Sequence, residues 1–402
     1  MAFRIAVSGL NAASSDLDVT GHNIANSNTT GFKASRANFA DVFALSNLGS
    51  TSNAIGQGVQ LASVGQQFTQ GNVTFTNNNL DLAINGNGFF AVDEPGGGRA
   101  YTRAGVFGVD KDGFLVNPTG HQLLGFQASN GSITGALGAI QLSTANIPPR
   151  ETTLMNVGVN LDAGAVAPTV AFDPAIATSY NNVTSTTVFD SLGEEHLAAI
   201  YFRKTAANTW ESHLRIDGDN TQTTTPAALA FDDTGQLTTA MPISYGAFTP
   251  TTGASAFTVT FDFTDSTQFG SQFGVNALGQ DGYTTGRLNG IDIDETGVVL
   301  ARFTNGESLA QGQVVLANFA NAQGLQPTSD STWAETNTSG PALIGEPGSA
   351  SLGLVQAGAL EESNVDIAEQ LVNMIIAQRN FQANAQMIQA EDEITQTIIN
   401  IR

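Results

Sequence analysis

Four histidines, His22, His121, His196 and His213, are the side chains that ordinarily titrate nearest neutrality, and the chain has no cysteine. Acid–base or metal chemistry would draw on them first. No two stand four residues apart, which excludes a two-histidine zinc helix. Each is therefore expected to be structural. A thiol nucleophile is excluded, and no Gly-x-Ser-x-Gly elbow is present. Phosphate loops fail as well. Gly86-Asn87-Gly88 runs into Phe89, Phe90 and Ala91 without a third glycine, and Gly96-Gly97-Gly98 leads to Arg99 with no helical pattern behind it. Asp110-Lys111-Asp112-Gly113 and Asp217-Gly218-Asp219-Asn220 resemble the start of a calcium loop. The twelfth position, which needs a bidentate Glu, holds His121 in one and Ala228 in the other. Asp292, Asp294 and Glu295 read as a solvated hairpin tip. No catalytic, metal or cofactor-binding residue is assigned, although a pair of carboxylates acting on a glycoside stays open at this point.

The acidic residues fit turn chemistry better. Asp-x-x-Gly followed by an apolar residue two places on occurs at Asp110–Gly113–Leu115, Asp232–Gly235–Leu237 and Asp294–Gly297–Val299, with a weaker copy at Asp190–Gly193. Asp starts such a turn through its side-chain oxygen, and Gly takes the positive φ. Between these corners lie short Val/Phe/Thr/Ile-rich runs. Leu80–Ile84, Phe89–Val92, Val183–Phe189, His196–Arg203, Ala256–Phe263 and Gln313–Phe319 are expected strands. No helix-length periodic segment falls between about residues 65 and 355, which argues against parallel βαβ units.

Helices are confined to the ends. In residues 1–28, Phe3, Leu10, Leu17 and Ile24 recur every seven residues, with Ala6, Ala13 and Thr20 as a second seam of small residues. In residues 361–402, Leu371, Met374, Phe381 and Ile388 mark an apolar stripe, and Ile394, Ile398 and Ile401 continue it. Asn364 or Ser363 is expected to cap this helix. Its polar face is mostly amide, including Gln382 and Gln386, with Arg379 the one charge between Glu369 and Glu391. Amides cost less to desolvate than charges, so this face suits burial among other subunits.

Composition supports the partition. The chain has 402 residues, 14 Lys+Arg against 36 Asp+Glu, and a net charge of −22. Residues 1–50 carry three charges of each sign and residues 358–402 two positive and seven negative, so most of the acidity lies on the β region. That balance excludes a nucleic-acid partner. No run of about 18 apolar residues exists, so membrane insertion is not expected. The first twenty residues lack the apolar stretch of a cleaved signal peptide. The Cys-free, Gly/Asn/Thr-rich composition suits an extracellular protein exported by another route, or a cytoplasmic one of unusual usage.

The expected class is mainly β with α-helical coiled-coil termini, a nested multi-domain subunit with two antiparallel β domains. Residues 1–28 and 361–402 would be terminal helices, and 29–75 with 350–360 a connector containing the polar stretch 45–58. Residues 76–150 with 289–349 would form an inner β domain, and 151–288 an outer inserted one with loop-rich stretches at 162–182 and 218–228. From these residues alone, a secreted adhesin or surface-layer subunit remains the rival, and a secreted hydrolase the third reading.

Three strings narrow this. Ser8-Gly9-Leu10-Asn11-Ala12, followed by Gly21-His22-Asn23-Ile24-Ala25-Asn26 and Thr30-Gly31-Phe32-Lys33, resembles the amino-terminal signature of bacterial flagellar rod and hook proteins. His22 departs from the usual Asn there, which affects a local turn or cap. Leu80-Asp81-Leu82-Ala83-Ile84-Asn85-Gly86-Asn87-Gly88-Phe89-Phe90 is similar to the family's central strand–turn motif. Gly358–Asp366 and Leu371–Asn384 match its terminal helix. The large insertion, together with Gly312–Gly324 and Trp333, resembles the hook members. The resemblance implies a homopolymeric tube, non-enzymatic, serving as a universal joint between rod and filament. It implies extracellular placement in the flagellum, export through the type III apparatus without a cleaved signal, and rod, hook-cap and hook–filament junction proteins as partners. The residues expected to serve assembly are Phe3, Leu10, Leu17, Asn23, Ile24, Asn26, Leu371, Met374, Phe381, Gln382, Gln386 and Ile388. Mobile terminal helices that order on assembly are the expectation, with an intramolecular two-helix stalk as the alternative.

Overall fold

The computed structural model describes residues 2–42, 56–94, 96–218 and 226–400. Most of the expected 45–58 connector, part of the 218–228 loop, Asp219 and Asn220 of the second calcium-like string, and Ile401 lie outside the described residues. Two helices occupy the ends, α1 (Ala2–Ala25) and α2 (Ile367–Asn400). Among the described residues between them, regular structure is strand, apart from the short 3-10 turns Ala177–Ser179 and Ala322–Gly324. Two compact units result. One comprises residues 1–144, 290–301 and 308–402, the other residues 145–289 and 302–307.

The first unit contains both helices. Its main sheet includes, in spatial order, Ser308–Val314, Gln122–Ala139, Phe89–Asp93, Arg99–Thr102, Thr332–Ala334 and Gln326–Pro327. Successive side chains of a strand point to opposite faces, and here both faces are covered. Phe90 and Val92 join a core with Leu82, Ile84, Leu115, Leu123, Ile140 and Leu316, whereas Phe89 and Ala91 join another with Tyr101, Phe319 and Trp333. The expected strand Gln313–Phe319 is split at Val315, because Ser308–Val314 pairs with Gln122–Ala139 while Leu316–Asn318 pairs with Leu343–Gly345 and Phe89–Phe90. A separate hairpin joins Ser35–Asp41 to Val59–Gln66.

The second unit is a sandwich. One sheet is an antiparallel meander of Asn182–Phe189, Glu195–Ala206, Thr209–Ile216 and Ala227–Ala230. The other is built on Leu154–Asp162, which pairs antiparallel with Gly274–Gln280 but parallel with Thr260–Asp262 and Thr267–Phe269. The parallel pairings depart from the antiparallel expectation in this sheet; the chain returns from Leu154–Asp162 to Thr260–Asp262 through the four strands of the other sheet rather than through an α-helix. The expected strand Ala256–Phe263 is regular only over Thr260–Asp262. Phe257, Val259, Phe261 and Phe263 nevertheless enter the core with Ile200, Phe202, Trp210 and Leu214.

The Asp-x-x-Gly corners share one geometry. At Asp110, Asp190, Asp232 and Asp294, Oδ1 accepts the backbone N–H groups two and four residues on. The third residue on is Gly at φ of 78° to 86°, which spares a side chain the left-handed strain. Asn117 builds a fifth copy, with its Oδ1 on the Thr119 and His121 amides and Gly120 at φ 87°.

Candidate functional site

The helices are held by residues on three distant stretches of the first unit. Glu361 lies fully buried between two cations. Its Oε1 is 2.5 Å from Lys33 Nζ and its Oε2 3.1 Å from Arg103 Nη1. Lys33 also donates to the Thr69 carbonyl at 2.8 Å, Arg103 to the Gly86 carbonyl at 2.9 Å, and the Gly71 amide to Glu361 Oε1 at 2.9 Å. Burial pushes the pKa of both cations down, and Glu361 partly offsets this. Gly31 donates its N–H to the Glu361 carbonyl at 2.8 Å. Only Gly fits there, because φ is +69° and a Cβ would lie 2.3 Å from the Ala104 nitrogen.

Asn23 ends α1 by imitating a strand. Its amide accepts from the Ser35 N–H at 2.8 Å and donates to the Ser35 carbonyl at 2.7 Å, and it also reaches Gln370 of α2 at 3.1 Å. Asn26 bonds back to the His22 carbonyl at 2.9 Å and accepts from Thr29 at 3.1 Å. Both asparagines thus make their side-chain bonds within the chain. The cap of α2 is Asp366, whose Oδ1 takes the Ala368 amide at 2.8 Å. Of the two expected caps, Asn364 is instead engaged with Ala34, Gln67 and Thr69, and Ser363 Oγ takes the Val365 amide at 3.3 Å.

The two helices run antiparallel. Asn23 meets Gln370, and a Cβ on Gly9 would stand 2.5 Å from Asn384 Oδ1, so moving toward the start of α1 moves toward the end of α2. The seam that closes is the one of small residues. Ala6, Ala13, Thr20 and Asn23 are buried, and among the described side chains of α2 only Ala377 is. The heptad stripe lies to the side: Leu10, Leu17, Ile24, Met374, Phe381 and Ile388 are half-buried, and Phe3 and Leu371 exposed. Small residues let the backbones approach closely, which leaves the large ones flanking the contact.

Much apolar surface on α2 stays open. Ile367, Leu371, Val372, Ile375, Ile376, Met387 and Ile394 are 47% to 56% exposed. With Ala377 facing α1, a rotation of 100° per residue puts Gln386 on the opposite side and Gln382 about 40° from it. Ile376, Ala383 and Met387 form one flank, about 80–120° from Ala377, and Gln378 and Gln389 the other. The helices have 24 and 34 residues, so α2 is longer by about 15 Å and overhangs the start of α1. No described helix is long and apolar enough to cross a membrane.

Chemistry elsewhere is sparse. No group of three or more His, Asp or Glu among the described residues is placed to hold a metal. His196 lies between two carboxylates, with Nδ1 2.6 Å from Asp217 and Nε2 3.2 Å from Asp190. Burial opposes its charge, but the hydrogen bonds to Asp217 and Asp190 outweigh it and raise its pKa. This arrangement is absent from the linear pattern, because Asp217 stands 21 residues away. Thr252 Oγ1 also donates to Asp190 at 3.0 Å, and the group bridges strand ends.

Four family models match parts of the chain: the flagella basal body rod protein model over residues 3–33, the flagellar hook protein FlgE/F/G D1 domain over 83–167, the flagellar basal body protein FlaE D2 domain over 160–283, and the flagellar basal body rod FlgEFG protein C-terminal model over 356–401. The chain is 41% identical to the flagellar hook protein FlgE of Escherichia coli and 40% identical to that of Salmonella typhimurium, with both chains covered in full. It is 35% identical to that of Rhizobium meliloti, over 99% of this chain and 98% of that one. Its fold is similar to a crystal structure of Helicobacter pylori flagellar hook protein FlgE2, with a TM-score of 0.54 at 14% identity over 70% of this chain and 99% of that one.

Proposed function

Because the chain belongs to the flagellar hook protein family, we propose that it is the repeating unit of a flexible helical tube that joins rod to filament and encloses an export channel. It is a structural subunit of the flagellar hook and not an enzyme. A head-to-tail contact that does not close into a ring generates such a tube. The observation that carries this reading is α2. Its contact with α1 uses one narrow face and leaves seven large apolar side chains about half exposed. Neighbouring copies would cover them.

In this proposal residues 1–28 and 361–402 form the inner tube, 29–75 and 350–360 the connector, 76–150 and 289–349 the inner β layer, and 151–288 the outer one. Phe3, Leu10, Leu17, Ile24, Leu371, Met374, Phe381 and Ile388 pack between subunits, the α2 members on the Gln378 side of the α1 contact and the Ile376–Met387 flank on the other. Gln382 and Gln386, turned away from α1, face the channel. An uncharged polar wall neither binds nor repels a passing chain of either sign. Rod, hook-cap and junction proteins meet the tube at its ends, and the subunit leaves the cell through the type III apparatus without a cleaved signal.

The test is paired substitution on the open flank. Covering a half-exposed Ile contributes about 1 kcal/mol by area, and burying an unpaired carboxylate costs several. Ile376→Asp/Met387→Asp should keep the monomer's helical circular dichroism and abolish tubes in electron micrographs. Tubes formed normally by this variant would overturn the proposal. Gln382→Glu/Gln386→Glu should leave tubes intact and slow growth beyond the hook; unchanged growth would remove the channel assignment.

A further inference from the structure

We propose that residues 163–181 form an acid-releasable strap over the outer face of the four-stranded sheet, latched by the stacking of Phe172 on His213. The alternation of Thr209–Ile216 sends Trp210, Ser212, Leu214 and Ile216 into the sandwich core and His213 to the opposite face. An outward side chain would ordinarily be solvated, yet His213 is only 7% exposed. Its cover is Phe172, stacked at 3.8 Å between centroids with planes 11° apart. Tyr201, directly across the ladder from His213, meets the same Phe172 ring edge-on at 5.4 Å and Tyr180 at 4.9 Å.

The strap is fastened differently at its ends and its middle. Lys204 Nζ holds the Ala163 and Ala165 carbonyls at 2.6 and 3.0 Å, and the Asn181 amide donates to the Phe202 carbonyl at 2.9 Å. Between these anchors the hold is weaker. Arg203 Nη2 reaches the Pro168 and Val170 carbonyls at 3.4 and 3.3 Å, and Phe172 rests on its ring neighbours. Asp173 is engaged in the strap's own turn with Ala175 and Ser179.

The charged groups facing His213 make protonation costly. Arg215 lies with its guanidinium 5.9 Å from the Phe172 ring, and Arg203 flanks the other side. The nearby carboxylate is Glu211, 3.6 Å from His213 Nε2 but also 3.3 Å from Arg203 Nη1. Nε2 has no hydrogen-bond partner. Burial pushes the pKa of the Tyr201 phenol up, so it brings no charge near neutrality. An imidazolium here would add a further cation beside Arg203 and Arg215 in a desolvated site. Burial accordingly holds the pKa of His213 below its ordinary value, with Glu211 opposing. The sign follows: the closed strap is favoured above the ordinary histidine range and loses stability as pH falls through it. Opening hydrates the ring and uncovers Phe172, Tyr180 and Tyr201.

Hydrogen-exchange mass spectrometry on the full chain at about pH 5 and pH 8, corrected for intrinsic rates, tests this. Protection of residues 163–181 should fall with acid, by at most about tenfold per pH unit for a one-proton latch, while Glu195–Ala206 keeps its protection. His213→Gln should abolish that dependence, and Phe172→Leu should lower protection at both pH values. Equal wild-type protection at the two pH values, or a dependence that survives in His213→Gln, would overturn the proposal. Should His213→Gln fail to fold, NMR titration of the wild-type His213 ring decides. Its midpoint must coincide with strap opening, and a separate midpoint refutes the latch.

Discussion

Glu361→Gln probes the buried ionic cluster most directly. The carboxylate and both its cationic partners are almost wholly removed from water, with side-chain exposures of 0% for Glu361 and Lys33 and 4% for Arg103. Gln keeps the shape and one acceptor. It removes the charge and turns an N–H donor toward either an ammonium or a guanidinium. Breaking a buried pair from one side costs about 3–5 kcal/mol, because the remaining charge stays desolvated. For a unit of this size each kcal/mol lowers Tm by about 2–4 °C, so the expected fall is roughly 6–20 °C. The two tryptophans fall one to each unit, Trp333 in the first and Trp210 in the second. In a Trp210→Phe background, thermal unfolding followed by fluorescence therefore reports the first unit alone. Adding Lys33→Met to Glu361→Gln should recover part of the loss, since it removes the stranded ammonium. A fall of less than about 2 °C, well under the scale that burial implies, would refute the reasoning. So would a Lys33→Met penalty as large in the Glu361→Gln background as on its own, because the two would then be uncoupled.

Other expectations are as specific. His196→Gln should destabilise the second unit more at pH 6 than at pH 9. A raised histidine pKa supplies stability fully below the ordinary value near 6.5 and loses it as pH rises through the raised one; calorimetry at both pH values checks this. Asp294→Ala removes an acceptor from two backbone amides and should cost about 1–2 kcal/mol in denaturant unfolding. Asp294→Asn should be nearly silent, since Asn117 already makes the same turn.

The β architecture and its corners were legible because Asp-x-x-Gly states its own geometry: an acceptor for two amides and a residue free to take positive φ. Asn117 makes the same turn with an amide oxygen and so lies outside the Asp-x-x-Gly pattern. The helical ends and both seams of α1 were legible from their spacing, but not which seam closes. Large residues dominate a heptad reading, whereas Ala6, Ala13 and Gly9 decide the packing by letting backbones approach. The cap moved to Asp366 because Gln67 and Thr69 claim the Asn364 amide, a tertiary demand that no local pattern records. The same holds for Lys33, Arg103 and Glu361, which carry no spacing signal, and for His196, whose partners arrive from two different turns. The strand expected over 256–263 shortened because its alternation reflects core packing of Phe257 and Phe263 more than ladder pairing.

The buried cluster also sets a timetable. Glu361 follows Lys33 by 328 residues and Arg103 by 258. The second unit draws nearly all of its residues from one unbroken stretch, 145–289. Loop closure becomes only slowly more costly with length, but no closure is possible before both partners are present. A chain delivered from either end could therefore finish the second unit in transit, whereas the first must wait until almost the whole chain has arrived. Completion of the first unit then coincides with the arrival of the last of its three ion-pairing residues, so the terminal helices acquire their fixed base only at the end.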